Sequence, residues 1–139
     1  MSSRGIGIVT ISLNDRVGLE RTVRSIQSQA TAPVEWHIVD GGSTDGSVDF
    51  VNDSELGFLT SFSSGPDGGI YDAMQRGLER CETCDYVLFL HAGDELRRPD
   101  SLQQASHELS KASGIDVAYF GWRLVSPSGR TVERQARKP

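Results

Sequence analysis

Two adjacent acidic residues, Asp94 and Glu95, follow an apolar run of the sequence within residues 91–95, HAGDE. A carboxylate directly after a buried strand is held by rigid backbone and opens onto the space beyond the sheet. Such a carboxylate is a hard oxygen ligand that suits Mg²⁺ or Mn²⁺. The alternative interpretation is that Asp94 only caps the turn after the strand. This segment alone favours neither interpretation.

Two glycine-rich turns also contain acids, residues 40–46 (DGGSTDG) and residues 63–72 (SSGPDGGIYD). Glycine allows backbone to approach a ligand closely, and a helix start offers free N–H groups to an anion. The first turn contains neither the dinucleotide-binding pattern G-x-G-x-x-G nor the Gly-Lys-Ser or Gly-Lys-Thr of a P-loop. Taken alone, it indicates an ordinary tight turn.

The elements that must position these turns alternate between strand and helix. The predicted strands are residues 6–13, 34–39, a weaker 56–61, and 86–90, the last as a central strand covered on both faces. The predicted helices are residues 17–29, about 45–52 with Ser43 or Thr44 as its cap, 70–80, and 99 to about 112. Residues 117–125 and 130–133 are predicted to form a hairpin.

This alternation predicts an α/β, Rossmann-like fold with a mostly parallel sheet and helices on both faces. Ligands of such sheets bind beyond the carboxyl ends of the strands. The turns that follow the first four strands, beginning with Asn14 and Asp15, therefore meet at one edge. Acids that converge there predict a divalent metal site, a base-reading site, or both.

The composition is that of one globular domain, residues 1–139, with 24% charged and 37% hydrophobic residues. The net charge of −5 argues against nucleic-acid binding across the surface. No apolar run approaches the roughly 20 residues of a membrane span, and no secretory signal is visible, so a cytoplasmic location is expected. The basic residues near the end indicate a solvated face or, alternatively, peripheral contact with an anionic membrane; they are Arg130, Arg134, Arg137 and Lys138.

Cys81 and Cys84 form a single C-x-x-C pair near a predicted helix end. A zinc site needs a second pair or suitably spaced histidines, and a redox pair normally opens a helix. Both residues are therefore interpreted as ordinary reduced cysteines. Trp36 and Trp122 are expected in the core or on a sheet face.

Four motifs occur in order: IVTISLN, VDGGSTDG, SGPDGGIYDAMQRG and FLHAGDEL. Together they resemble the inverting family 2 glycosyltransferases of the GT-A fold, in particular bacterial enzymes that build surface and exported polysaccharides. The resemblance runs from about Ile6 to Leu96. It implies a nucleotide-sugar donor, with a UDP-sugar as the first guess, a cofactor that is Mn²⁺ or Mg²⁺, and a saccharide or lipid-linked acceptor.

The resemblance also implies roles for individual residues. Asp94 falls on the metal ligand of the family's D-x-D-like motif, with Glu95 as a possible second ligand. Asp40 falls on the aspartate that accepts a hydrogen bond from the base, and Asp67 is the alternative. The nucleotide-binding set as a whole is Ile11, Ser12, Asn14, Asp40, Gly41, Ser43, Asp67, Asp72 and Gly93. Many relatives have a second aspartate at the position of Gly41, and another acid at the position of Gly93.

No catalytic residue is identified, because nothing after Val125 matches the family's general base. The chain is therefore interpreted as the donor-binding half of an inverting transferase. The alternative is a catalytically inactive nucleotide-sugar-binding module, or one half of a split enzyme. A receiver-like phosphoacceptor domain is disfavoured, because the only lysines, Lys111 and Lys138, lie in a predicted helix and in the tail.

Overall fold

The computed structural model of the protein describes residues 5–111, 114–118 and 120–135, without the side chain of Trp122. The strands in these residues are β1 (Ile6–Ser12), β2 (Glu35–Asp40), β3 (Ser61–Ser64), β4 (Tyr86–Phe89), β5 (Trp122–Val125) and β6 (Thr131–Arg134). The helices are α1 (Arg16–Gln27), α2 (Ser47–Asp53), α3 (Ile70–Glu79) and α4 (Ser101–Ser110). Four residues to which predictions were attached, Ala112, Tyr119, Arg137 and Lys138, lie outside the described residues, as does the side chain of Trp122.

β1 to β4 form one parallel sheet in the order β3-β2-β1-β4. β1 is central and fully buried, as expected for a β-branched run flanked by two strands. Its register pairs Ser12 with Asp40, so the loops after β1 and β2 leave the same edge of the sheet. β5 and β6 form a separate antiparallel hairpin, as predicted. The predicted α/β fold with a parallel sheet is confirmed.

Helices cover both faces of the sheet, and each face has its own apolar cluster. One cluster joins β1 and β2 to α1, α2 and α4 through residues such as Ile8, Trp36 and Leu19. The other joins Val9 and Val39 to α3. α3 approaches closely because Gly77 has no side chain: a Cβ there would lie 2.3 Å from Val9 Cγ1. None of the helices in the described residues combines the length and the apolar character that crossing a membrane requires.

Three predictions about the elements are wrong. β4 is not central: among the described strands it lies at the edge of the sheet and is only half-buried, because β1 is its one neighbour. The third strand is Ser61–Ser64 and not residues 56–61. Leu56, Phe58 and Leu59 instead pack as irregular chain against the first cluster.

The third wrong prediction concerns the residue that caps α2. The residue before the helix is Gly46, at a left-handed φ of 92°, and neither Ser43 nor Thr44 caps it. The carboxylate of Asp45 accepts from the Ser47 N–H at 3.1 Å and from the Ser47 hydroxyl at 2.6 Å. This hydroxyl, together with backbone N–H donors, holds the pKa of Asp45 below its usual value.

Candidate functional site

Asp40 ends β2, and its side chain is buried at 2% exposure. Its carboxylate accepts four hydrogen bonds: from Gly42 N at 3.0 Å, Ser43 N at 2.8 Å, Ser43 Oγ at 2.5 Å and Ser64 Oγ at 2.7 Å. A buried carboxylate needs such donors to offset its desolvation. Asp40 therefore fixes the loop that follows β2 and ties it to β3.

A second set of bonds joins this loop to the loop after β1. Asn14 N donates to Ser43 Oγ, Thr44 N donates to Asn14 Oδ1, and Arg16 N donates to Asp45 Oδ2, each at 2.8 Å. We call these three bonds the loop lock. Asn14 is in the left-handed region, with φ 48°, which asparagine adopts more readily than most residues. The loop lock makes the two loops one rigid unit at the carboxyl edge of the sheet.

Asp67 approaches the same unit from the loop before α3. Its Oδ1 accepts from Gly69 N at 2.9 Å, and its Oδ2 faces Gly41. A Cβ at Gly41 would lie 3.1 Å from Asp67 Oδ2 and 3.3 Å from Leu13 Cδ1. Any side chain at Gly41 would thus be crowded, and its absence lets one carboxylate oxygen and one exposed apolar side chain stand close to the Gly41 backbone, since Leu13 is 57% exposed. We call this place the Gly41 slot.

Ser12 and Ile11 end the central strand beside this unit. Ser12 is buried, and its Oγ has no hydrogen-bond partner among the described residues, which is unusual for a buried hydroxyl. Ile11 is buried in the apolar cluster beneath α3. Asp72 lies on the first turn of α3, where it accepts from Gly68 N at 2.8 Å and pairs with Arg76 at 3.0 Å.

The turn after β4 carries Asp94 and Glu95, and both are exposed. Asp94 Oδ2 accepts from His91 N at 3.1 Å, and Asp94 N donates to His91 O at 2.9 Å, so the carboxylate closes its own turn with one oxygen. Gly93 adopts a left-handed φ of 96° at the bend, and a Cβ there would lie 3.6 Å from Asp15 Oδ2. This turn therefore lies beside the start of α1.

Most of the predicted site residues thus fall into two groups at one edge of the sheet, whereas Ile11 is buried beneath α3 and Asp72 lies on the first turn of α3. Around the loop lock and the Gly41 slot lie Ser12, Asn14, Asp40, Gly41, Ser43 and Asp67. Gly93 and Asp94 lie at the start of α1. In the described residues no group of three or more His, Cys, Asp or Glu side chains could hold a metal ion.

Sequence patterns gave no individual role to three residues that shape this edge. Asp45 lies in the acid-containing turn of residues 40–46, and its contact with Ser47 could have been predicted, because an acid two residues before a helical serine is a common way to satisfy first-turn N–H groups. Ser64 could not, because its contact with Asp40 depends on where β3 lies. Leu13 stood only as the last residue of the predicted first strand.

The chain matches known proteins over most of its length. A family model described as glycosyl transferase family 2 matches residues 7–136. An uncharacterized glycosyltransferase of Mycobacterium tuberculosis is 40% identical over 127 residues, which is 89% of this chain and 48% of that protein. A PGL/p-HBAD biosynthesis glycosyltransferase of the same species is 32% identical over 121 residues, or 86% of this chain and 47% of that protein. The chain spans about half the length of these curated relatives.

Solved structures share the fold at low identity. S. aureus TarS 1-349 in complex with UDP superposes with a TM-score of 0.68 at 18% identity, over 83% of this chain and 38% of that chain. A mannosyltransferase from Pyrobaculum calidifontis in complex with GDP-Man and Mn²⁺ gives a TM-score of 0.65 at 21% identity, over 76% of this chain and 32% of that chain.

Proposed function

The chain belongs to glycosyl transferase family 2, and from that premise we propose that it binds the nucleotide-sugar donor of a metal-dependent, inverting glycosyltransferase. The observation that carries this proposal is the rigid unit at the carboxyl edge of the sheet. There the loop lock, the Gly41 slot and the unpartnered Ser12 Oγ lie together. Ligands of open parallel sheets bind at this edge. The solved relatives with UDP and with GDP-Man support a nucleotide-sugar as the ligand class.

We assign the metal-binding role to Asp94. One oxygen of this exposed carboxylate closes the turn, and the other accepts no hydrogen bond from the described residues. A single carboxylate fits a cation that takes its remaining ligands from a diphosphate and water, as Mg²⁺ and Mn²⁺ commonly do. Bound there, the cation would neutralise charge on the nucleoside diphosphate as it leaves. Glu95, exposed beside Asp94, is the candidate for a second carboxylate.

The metal assignment predicts that UDP binds far more tightly with Mn²⁺ than with EDTA. Asp94→Asn should remove that difference and leave the melting temperature unchanged. Asp53→Asn is the matched control, because it makes the same change at an exposed acid at the end of α2. Calorimetric titration of both variants with UDP measures the difference. Undiminished Mn²⁺ dependence in Asp94→Asn would refute the assignment.

We further propose that Asp67 reads the base and that Asp40 holds the loop against which the base lies. Asp40 is buried and accepts four hydrogen bonds from its own surroundings. Asp67 Oδ2 instead faces the Gly41 slot. A carboxylate only accepts hydrogen bonds, so it favours bases with an N–H on the ring edge. UDP, dTDP and GDP should therefore bind more tightly than CDP and ADP, by about tenfold or more.

Three variants separate the two aspartates. Asp67→Asn should lower UDP affinity and admit CDP, because an amide can donate to the bare ring nitrogen of cytosine. Asp40→Asn should weaken all five diphosphates alike, because it loosens the loop. The double variant Gly41→Asp with Asp67→Gly moves the carboxylate from position 67 to position 41. It should show part of the UDP preference that Asp67→Asn loses. If Asp40→Asn abolishes the preference for UDP and Asp67→Asn does not, Asp40 is the residue that reads the base.

We propose that sugar transfer needs a part of the protein beyond these 139 residues, because the curated relatives are about twice as long as the match. In an inverting displacement a general base removes the proton of the acceptor hydroxyl as the hydroxyl attacks the anomeric carbon. A general base typically accelerates such a reaction by about 10²–10⁴-fold, so its absence should slow transfer by a similar factor. The 139-residue chain should bind UDP with Mn²⁺ and transfer no sugar. A transfer product detected by mass would overturn this division of roles.

A further inference from the structure

One face of α1 carries polar side chains where an amphipathic helix would be expected to be apolar. Thr22, Ser25 and Gln29 follow at intervals of three and four residues, so they point the same way from the helix and the turn that ends it. Thr22 and Gln29 are buried. All three side chains contact the segment that runs from the end of β4 to the first turn of α4. We call them the α1 polar stripe.

The α1 polar stripe forms hydrogen bonds with the main chain of this segment from Gly93 to Leu102. Its first member, Thr22, accepts from Gly93 N at 2.9 Å and donates to Asp94 O at 2.7 Å. Ser25 Oγ accepts from Leu96 N at 3.1 Å. At the far end, Gln29 donates to Arg98 O at 2.8 Å and accepts from Leu102 N at 3.1 Å.

Thr22 is the member of the stripe that forms hydrogen bonds with the turn that carries Asp94. Its hydroxyl has a single proton and lies near three carbonyl oxygens, and the 2.7 Å contact to Asp94 O is shorter than the 3.1 Å contacts to Gly18 O and His91 O. It contacts main-chain atoms on both sides of the Gly93–Asp94 peptide bond. The left-handed Gly93 shapes this bend, and Thr22 ties the bend to a rigid helix.

On the basis of the metal role proposed for Asp94, we propose that Thr22 is a positioning residue for the metal-bound diphosphate. A single protein carboxylate can capture a phosphate-bound cation only if its backbone holds it at one place. Groups that orient a ligand side chain in this way commonly change metal affinity by 10- to 100-fold when they are removed. Thr22 does so through the main chain of Asp94, and it needs no contact with metal or nucleotide.

Gln29 supplies the matched control for a purely structural role. It is buried in the same stripe and makes two main-chain bonds to the same segment, to Arg98 and to Leu102 in the first turn of α4, as Thr22 makes two to Gly93 and Asp94. Its bonds, however, lie four and eight residues beyond Asp94, at Arg98 and Leu102. Removing the bonds of either residue should lower the melting temperature, whereas only Thr22 should alter metal-dependent binding.

The experiment compares Thr22→Val, Thr22→Ser and Gln29→Met in the 139-residue chain. Calorimetry gives the UDP dissociation constant with Mn²⁺ and with EDTA, and thermal unfolding gives the melting temperature. Thr22→Val is expected to reduce the Mn²⁺-dependent gain in affinity by about tenfold, with little change in EDTA. Thr22→Ser keeps the hydroxyl and should stay within about threefold of wild type. Gln29→Met should lower the melting temperature and keep the full gain.

Two results would overturn the inference: Thr22→Val that retains the full Mn²⁺-dependent gain, or Gln29→Met that loses as much of it. If Thr22→Val does not fold, Ser25→Ala tests the same point, because it releases Leu96 N, the next anchor after Asp94. It should then lose more of the gain than Gln29→Met, and equal effects would count against Thr22. A wild-type chain that binds UDP with no gain from Mn²⁺ would refute the metal role of Asp94 itself, which is a different failure.

Discussion

Each end of β2 has a buried carboxylate that accepts hydrogen bonds from the backbone N–H groups of a neighbouring loop. At the carboxyl end, Asp40 holds the loop after β2 and a serine of β3. At the amino end, Glu35 accepts from Glu82 N at 2.9 Å, from Thr83 N at 2.7 Å and from the Thr83 hydroxyl at 3.0 Å, and it contacts His37 Nε2 at 3.2 Å. A buried acid with backbone donors therefore does not mark a functional site.

The two ends differ in what lies around the carboxylate. Around Glu35 the polar groups are paired: His37 bridges Glu35 to Ser61 Oγ, which lies 2.6 Å from His37 Nδ1. Burial raises the pKa of the Cys84 thiol to about 12 and also raises the pKa of Cys81, so both free thiols stay protonated at neutral pH. Neither thiol is therefore a nucleophile at neutral pH.

At the carboxyl edge of the sheet, by contrast, hydrogen-bonding capacity is left over. The buried Ser12 Oγ has no partner among the described residues, Asp67 Oδ2 faces the Gly41 slot, and Asp94 is exposed. Unused polar groups held by a rigid frame are costly for folding and useful for binding. The comparison suggests that unused capacity, more than buried charge, distinguishes the binding edge from the structural edge.

The largest effect is expected from Asp40→Ala, which breaks the frame at the binding end. It leaves two backbone N–H groups and two hydroxyls without their acceptor. We expect a loss of about 3–5 kcal/mol in the free energy of unfolding, in the range found when one partner of a buried charged network is removed. Urea unfolding measures this loss. UDP affinity should fall as well, in conditions where the variant is folded, and unchanged affinity would show that the loop needs no anchor.

Glu35→Gln should cost less and should leave binding intact. The amide keeps the shape but accepts fewer of the donated bonds, so we expect a loss of about 2 kcal/mol in the free energy of unfolding. UDP affinity with Mn²⁺ should match that of wild type, because Glu35 lies at the opposite end of β2. An affinity loss as large as that of Asp40→Ala would contradict the division between the two ends.

The contribution of Glu35 to the free energy of unfolding should be lost at low pH. Burial alone would raise the pKa of Glu35, but the Thr83 and Glu82 N–H groups, the Thr83 hydroxyl and His37 outweigh it and lower the pKa from 4.5 to about 2. A carboxyl with a lowered folded pKa stabilises the protein above its unfolded pKa and loses that effect as the pH falls through the folded value. The stability difference between wild type and Glu35→Gln should therefore be full above about pH 5 and shrink towards pH 2. Urea unfolding at several pH values measures it, and a constant difference would contradict the assignment.

The sequence predicted the parallel α/β sheet and the turns that meet at its edge, because both follow from the alternation of apolar runs and helical periodicity. It misplaced β3, since hydropathy favours Leu56 to Leu59 over the serines that form the strand. Those serines are selected by partners on β2: Ser61 contacts His37, and Ser64 contacts Asp40.

Thr22 escaped prediction for the same kind of reason. Periodicity marks its position as a core position of α1, but its hydroxyl is satisfied by a turn 71 residues further along the chain, at Gly93. Side-chain to main-chain bonds between distant segments leave no local pattern in a sequence. They become visible only when the fold brings the segments together.

The smallest effect on stability is expected from removing one of the three bonds of the loop lock. Asn14→Gly suits this test, because glycine adopts the left-handed φ of 48° without strain and removes only the amide that accepts from Thr44 N. Since Thr44 is exposed, water can replace the lost acceptor, and we expect a change of about 1 kcal/mol or less in the free energy of unfolding. UDP affinity should nevertheless fall several-fold, because one of the three bonds that hold the two loops together is lost. Asn14→Asp, which keeps an acceptor oxygen, should restore most of that affinity. Equal UDP affinities for wild type and Asn14→Gly would mean that the bond from Thr44 N to Asn14 is not needed to fix the binding edge.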